Sequence, residues 1–489
     1  MAPSAAARTV RMGTGTARWV VGATVLGSGI AFLDGTVVNV ALPAIARNLH
    51  AGVAGLQWTV DSYLITLTAL MLLGGSLGDI YGRRRLFVAG LAGFGAASAL
   101  CALAPSIGVL IAARAVQGMA GALLVPSSLS IISATFHPDD RARAVGAWSG
   151  LAGVSTAVGP FLGGWLVDTG SWRLVFLINV PLAALAIAIA LRHVPETREE
   201  TMERHVDLPG AVTATVGLAA ACYAVIEGAR SFGPAQAAAA VVGVVSLAAF
   251  VSIERRTRQP MMPLNLFRSH QFTGANLTTL AVYTGLGGTF FLVVLELQLA
   301  LGYSALAAGL SLIPVTILML ALSARFGALA QKTGPRLPMT IGPLVVAAGL
   351  VMLSRVQPGV RYVTGILPAA LVFGLGLAMT VAPLTAAVLA AVDDAHVGVG
   401  SAVNNAVARL AGLLSVAVLP AIVSLQTSPA SVLTRGFREA MLIAAGFSAL
   451  GGLIAFATIR RSVPVQAAIQ PSIVQCCHPP ELAKASPAA

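Results

Sequence analysis

The stretch L-D-G-T-V-V-N-V-A-L-P, residues Leu33 to Pro43, lies inside an apolar run that extends from Trp19 to Ala46. A run of that length can cross the hydrocarbon core of a bilayer, which takes about 20 apolar residues per helix. Asp34 stands within it, far from any basic residue in sequence. A carboxylate near the centre of a bilayer helix costs about 2.5–3.5 kcal/mol on insertion scales. A chain that accepts that cost uses the group, and taking up a proton is its obvious use.

The rest of the composition agrees with a bilayer. Hydrophobic residues make up 57% of the 489, charged residues only 10%, and mean hydropathy is +0.86. A soluble domain is about 25% charged. A membrane barrel would show alternating segments of about ten residues, whereas these runs are unbroken and rich in Ala, Leu, Val and Gly. The reading is therefore an all-α membrane protein. The net charge of +12 does not indicate nucleic acid, because the basic residues cluster in short loops between apolar runs, as the positive-inside rule requires. Cys101 and Cys222 fall in apolar runs, while Cys476-Cys477-His478 has no further ligands nearby, so no metal site is expected. No phosphate-binding G-x-x-x-x-G-K-[ST] loop is present and no histidine lies at a helix centre. Neither ATP hydrolysis nor a histidine proton relay is supported, and the chain does not read as an enzyme.

Fourteen apolar runs fall between residues 19 and 458, an even number that places both termini on one side. Of the 30 Lys and Arg, 21 fall on the side of the termini and seven on the other; Arg114 and Arg409 lie within spans. That excess puts both termini in the cytoplasm. A ten-residue pattern, Gly75 to Arg84, recurs at Gly327 to Arg336, at the inner ends of spans 2 and 10. An offset of eight spans means two six-span bundles separated by two inserted spans. The expected order is an N-tail at 1–18, a first bundle at 19–193, inserted spans at 209–253, a second bundle at 272–460 and a disordered tail at 461–489. Parallel repeats of this kind mark transporters that bind substrate between their halves.

The repeated loop combines glycine turns with charge: Gly75, Asp79, Gly82, Arg83 and Arg84 read as a conformational latch between spans. The second copy has Gln331 in place of the acid and should be weaker.

G-S-L-G-D-I-Y-G-R-R-R resembles the loop 2–3 signature of the major facilitator superfamily, and L-D-G-T-V-V-N-V-A-L-P is similar to the first-helix signature of its fourteen-helix drug:proton antiporters. L-I-A-A-R-A-V-Q-G-M-A-G-A, residues 110 to 122, resembles the helix 4 motif that carries a proton-linked arginine, here Arg114. Ser155, Gly159, Pro160, Gly163 and Gly164 fall in a stretch that resembles the antiporter motif of helix 5, with Ser155 where the pattern usually has Gly. Trp172-Arg173 and the segment Phe176 to Pro181 also fit the subfamily. The resemblance covers roughly residues 15 to 460. It implies the major facilitator fold and a proton-coupled antiporter of the bacterial inner membrane, exporting amphipathic organic compounds as a monomer. The proton gradient would be the energy source, with no cofactor.

Depth along the spans agrees. At 1.5 Å per residue, Asp34 lies about 4–5 Å and Arg114 about 9 Å beyond the midplane, within side-chain reach of each other. They are expected to share a polar site in which protonation and substrate binding compete, since an adjacent Arg favours the charged carboxylate and desolvation the neutral one. Asp61, one turn into span 2, reads as a second proton site, an acid at the cavity mouth or a solvated helix end. Asn39, Gln117, Asn404, Asn405 and Arg409 are candidates for the cavity or substrate. Glu296 reads as interfacial, and its depth differs from that of Arg409 by roughly 15 Å, too far for pairing. Trp19, Trp58, Trp165 and Trp172 read as interface anchors. A proton-coupled uptake symporter and a non-transporting receptor on the same fold are the rival readings; the Gly-Pro seam of span 5 weighs against the first, and the absence of a soluble signalling domain against the second.

Overall fold

In lipid every backbone N–H and C=O must be bonded within the protein, so apolar runs of this length become helices. A computed structural model describes residues 10–197, 207–229, 231–257, 260, 262, 264–392, 397–422 and 430–460. The first half comprises α1 (Gly15–Leu49), α2 (Val53–Tyr81), α3 (Arg83–Ala102), α4 (Ile107–Thr135), α5 (Pro138–Thr169), the short α6 (Leu174–Leu177) and α7 (Asn179–His193). Next come α8 (Leu208–Gly228) and α9 (Pro234–Arg256). The second half holds α10 (His270–Leu295), which continues as a π-helical turn at Glu296–Ala300, then α11 (Ala305–Ser311), α12 (Ile313–Thr333) and α13 (Arg336–Leu353). It closes with α14 (Leu367–Leu389), α15 (Val397–Ile422) and α16 (Ala430–Thr458). Among the described residues, twelve helical segments are long and apolar enough to cross a membrane. The fold is all-helical and the protein is a multi-pass membrane protein.

Helices outrun the apolar stretches by a turn or more because polar caps define their ends. Thr14 Oγ1 accepts from Ala17 N at 3.2 Å and starts α1 four residues before the first apolar run. Ser106, Asp207, Ser269 and Ser304 cap α4, α8, α10 and α11 in the same way, satisfying N–H groups that have no partner within the helix.

Packing in the second half repeats the first. α1 lies against α4, α5 and α7, and α2 and α3 against α4; correspondingly α10 lies against α14, α15 and α16, and α12 and α13 against α14. The turn glycines repeat as well: Gly82 has φ +106° and Gly334 has φ +85°, a region in which a side chain would be strained. α8 packs on α2 and α15, so the α8–α9 pair covers one seam between the halves. α9 packs principally on α8 and turns Val241, Val244 and Val245 outward, as a lipid-facing helix does.

The halves meet along α2–α15, α5–α11 and α1–α10. Three side-chain clamps cross between them. Gln57 Nε2 donates to Val416 O (2.8 Å) and Ala417 O (3.2 Å). Gln298 Nε2 donates to Val40 O at 2.9 Å. Asp168 accepts from Ala305 N (3.1 Å) and Leu306 N (2.8 Å). All three lie at the end of the bundle opposite the arginine-rich loops, which seals that end.

Candidate functional site: a buried carboxylate cluster beside a central cavity

Asp34 projects from α1 toward α4 and is fully buried, and Arg114 on α4 is 1% exposed. Arg114 Nη1 donates to Asp34 Oδ2 at 2.5 Å and to Gln117 Oε1 at 2.6 Å, while its Nε donates to Thr59 O at 3.0 Å. The other carboxylate oxygen, Asp34 Oδ1, accepts from Gln117 Nε2 (2.9 Å) and Asn179 Nδ2 (3.0 Å). Both amides also donate to Ser98 Oγ, at 2.8 and 3.3 Å. Five helices (α1, α2, α3, α4 and α7) thus converge on one carboxylate. A buried ion pair offsets its desolvation only when the remaining lone pairs and protons are also bonded, and here both oxygens are. The guanidinium is further held over the Tyr63 ring, 4.1 Å from its centroid, and Tyr63 in turn donates to Ala31 O at 3.2 Å.

A cavity of about 180 Å³ lies between the halves beside this cluster. Gly35, Thr36 and Asn39 of α1, Tyr63 of α2, Arg114 of α4, and Phe290, Gly412 and Val416 of the second half line it. Asp34 does not. Arg114 therefore faces both the carboxylate and the cavity, and it is the group through which either could sense the other.

Comparison with known proteins gives this arrangement a family. Residues 24–416 match the Major Facilitator Superfamily. The chain belongs to that superfamily. It is 35% identical over 408 residues to the multidrug resistance protein Stp of Mycobacterium tuberculosis, spanning 82% of this chain and 75% of Stp. It is 34% identical over 445 residues to the puromycin resistance protein pur8 of Streptomyces alboniger, spanning 87% and 88%. The tetracenomycin C resistance and export protein of Streptomyces glaucescens is 33% identical over 430 residues, spanning 85% and 78%. The D-xylose–proton symporter shares the fold at a TM-score of 0.65 and 16% identity, over 91% of this chain and 98% of that one. A bacterial homologue of the human lysosomal transporter Spinster does so at 0.66, also with 16% identity, over 91% and 97%. The protein is thus a major facilitator transporter related to drug and antibiotic resistance exporters; such transporters are not enzymes and need no cofactor.

Other sequence-selected residues of this transporter fall in several places. Gln117 is buried in the carboxylate cluster rather than in the cavity wall, because the α4 register puts it one turn from Arg114 on the face toward α3. Asn39 does line the cavity, its Nδ2 bonded to Gly35 O at 3.3 Å. Asn404 turns into the second half and donates to Asn276 Oδ1 (3.1 Å) and Thr279 Oγ1 (2.7 Å). Asn405 is exposed and bonds Ser401 O at 3.1 Å. Arg409 places its guanidinium 5.6 Å from the Phe32 ring centroid, across the seam between the halves.

Asp61 corrects two of the three sequence readings: it is neither solvated nor at the cavity mouth, but fully buried with neither oxygen hydrogen-bonded. The α2 register carries it with Trp58 and Ile65 toward Cys222 and Ile226 of the inserted helix α8. Glu296, at the end of α10, is 1% exposed: the π-helical turn sets it under α16, where Thr434 Oγ1 donates to its Oε1 at 2.7 Å. Trp172 is likewise buried, donating to Asn48 Oδ1 at 3.1 Å, whereas Trp19 and Trp165 are exposed. Trp58 donates to Glu227 Oε1 of α8 at 3.2 Å and so packs between helices.

Helix 5 of the motif forms a seam on both sides. Ser155 sits against Gly29 of α1, Gly159 against Thr36 and Gly163 against Val37. Pro160 and Gly164 meet α11: a Cβ on Gly164 would stand 2.6 Å from Ala305 O and Leu306 Cα, so only glycine permits that approach. The helix runs on through Pro160.

In the loop between α2 and α3 the arginines find an acid that the motif reading did not supply. Glu196, beyond α7, accepts from Arg84 N (3.1 Å) and Arg85 N (3.2 Å) and lies 3.6 Å from Arg84 Nε. Arg83 N donates to Thr197 O at 3.0 Å. Gly75, Asp79 and Gln331 lie outside the described side chains, as do residues 461–489, including Cys476, Cys477 and His478. Among the described residues no group of three potential metal ligands occurs.

Sequence reasoning missed Ser98, Asn179, Thr59 and Tyr63. Asn179 carried a usable signal, a lone amide in the apolar segment Phe176 to Pro181; a serine or a backbone carbonyl carries none.

Proposed function

We propose that this transporter is a proton-coupled antiporter of the bacterial cytoplasmic membrane that exports amphipathic organic compounds by alternating access. The observation that carries this reading is the saturated Asp34–Arg114 pair, with Arg114 also forming part of the cavity wall. Taking up a proton at Asp34 would remove the charge that holds Arg114, and the guanidinium would become free to change partners. Substrate enters from the open, cytoplasmic side while the pair is intact. Protons reach Asp34 once the opposite end has opened, so the two ligands occupy oppositely facing states. The resistance functions in the names of the relatives support export rather than uptake. Asp61 is a second candidate proton carrier, because an ionised carboxylate without donors is costly in an apolar layer.

The same reading takes α2 (29 residues) and α5 (32 residues) as spans alongside the twelve, which gives fourteen. Two six-span bundles at 19–193 and 272–460 would flank inserted spans at 209–253. The arginine-rich loops and both termini would face the cytoplasm, and the protein would act as a monomer.

A drug-susceptibility panel on a bacterial strain overexpressing the chain tests the function, with everted vesicles reading the coupling. Resistance to at least one amphipathic compound is expected, and that compound should collapse a preformed acid-inside pH gradient. Asp34→Asn at equal membrane abundance should abolish both effects. Normal proton-coupled efflux by that variant would sink the proposal.

A further inference from the structure

Three carboxylates and two arginines lie in the interior of the described spans around the halves' seam, and their partners decide which charge a substrate meets. Asp34 has both oxygens bonded, Oδ2 by Arg114 and Oδ1 by Gln117 and Asn179. Asp61 turns toward α8, and Glu296 bonds Thr434 of α16; neither lines the cavity. Arg114 is neutralised by Asp34. Arg409, like Asp61, has no ion-pair partner among the described residues. Among the described residues Arg409 makes no hydrogen bond or ion pair, its Nε is buried without a partner, and its guanidinium lies 5.6 Å from the Phe32 ring centroid.

Arg409 lies one helical turn from Gly412 toward the arginine-rich end, and Phe32 one turn from Gly35 in the same direction; both glycines line the cavity. The two residues therefore meet one turn beyond its wall, at the arginine-rich end. A positively charged ligand there would find no free carboxylate. Two of the aromatic rings there already hold a guanidinium, Phe32 that of Arg409 and Tyr63 that of Arg114, and the ring of Phe290 packs edge-on against Phe373. A carboxylate, phenolate or sulfonate would meet a half-buried guanidinium that has no hydrogen bond among the described residues, a charge that is expensive within a membrane until it is answered.

We propose that the cavity selects organic anions carried on an aromatic or other planar frame, with Arg409 as the specificity-determining residue, and excludes lipophilic organic cations. This rests on the reading of the cavity as the substrate site of an exporter and names the class of compound it takes. In the state seen here the Asp34–Arg114 pair is intact and Asp61 faces α8, so among the described residues beside the cavity Arg409 is the charge without a partner when substrate loads from the arginine-rich side.

The test is equilibrium binding to the full chain in lipid nanodiscs, with no ion gradient, using two fluorescent probes of one ring system and opposite charge: anthracene-9-carboxylate and (anthracen-9-ylmethyl)trimethylammonium. The wild type is expected to bind the carboxylate at least about tenfold more tightly. Arg409→Gln should erase that preference, Arg409→Lys should keep most of it, and Phe32→Leu, which keeps the charge, should keep its sign. Equal or tighter binding of the cation, no saturable binding of the carboxylate, or an unchanged preference in Arg409→Gln would each overturn the proposal. Binding without a gradient is independent of proton coupling, so a failure here is distinct from a failure of Asp34→Asn to abolish antiport.

Discussion

The two halves cross their first and fifth helices alike and use the crossing differently. In the first, α1 passes α5 at Gly29, Gly159 and Gly163 and turns Asp34 toward α4. In the second, α10 passes α15 so closely that a Cβ on Gly287 would stand 2.6 Å from Gly412 Cα. Ser415 Oγ there accepts from Gly288 N at 2.7 Å and donates to Thr284 O. Gly82 and Gly334 are 252 residues apart, and the same spacing carries Asp34 onto Leu286, a buried apolar residue. The scaffold is therefore duplicated and the chemistry is not. One half pairs its intramembrane arginine with a carboxylate, while the other leaves Arg409 without one among the described residues, the difference on which the proposed division into a proton-answering and a ligand-answering half rests.

Removing Arg114 should break this contrast most severely. Arg114→Leu leaves Asp34 buried with amide donors alone, and breaking a buried pair in this way costs about 3–5 kcal/mol. Loss of monodisperse protein on size-exclusion chromatography is the expected result. The double variant Asp34→Leu/Arg114→Leu should recover stability and still fail to transport, because apolar residues can replace a buried pair structurally but carry no proton. Full efflux by the double variant would show that the asymmetry between the halves is not functional.

The clamp made by Asp168 is next in size. It caps the first two N–H groups of α11 from the other half. Asp168→Ala should loosen the sealed end and raise labelling of Asn39→Cys by a membrane-impermeant maleimide from outside several-fold over Asn39→Cys alone. Unchanged labelling would remove Asp168 from the gate.

Asn179→Leu takes one donor from Asp34 Oδ1 and leaves Gln117, so a loss of about 1–3 kcal/mol in thermal unfolding is expected, with efflux reduced but measurable. The mildest case is Asn404→Ala. Its amide bonds Asn276 and Thr279 within the second half and does not line the central cavity. A change of about 1 kcal/mol or less and unaltered efflux are expected, and a transport defect as large as that of Asp34→Asn would assign coupling to the second half as well.

Much of this was readable from residue patterns, and the limits have physical causes. Asp34 and Arg114 could be matched because the rise of a helix converts sequence position into depth. Depth says nothing about azimuth. That is why Asp61 was a candidate for the cavity mouth although it faces α8, and why Gln117 was a cavity candidate although it closes the carboxylate cluster. The contact of Glu296 with Thr434 is hidden for a related reason: a π-helical turn at 296–300 breaks the register that an α-helix would impose. Glu196, which holds Arg84, lies 112 residues away from it, beyond any local pattern.

The sequence by itself determined that this chain is a helical membrane protein, that it is built on a repeated unit, and that one carboxylate and two arginines stand inside the spans. Composition and periodicity suffice for that, because the bilayer penalises every unbonded backbone group and every stray charge. Only the tertiary structure decided which charges are paired. Asp34 on α1 reached Arg114 and Gln117 on α4 and Asn179 on α7, whereas Arg409 found no hydrogen bond or ion pair among the described residues. Pairing depends on which helix faces meet across the bundle, a property that arises only once the helices have packed.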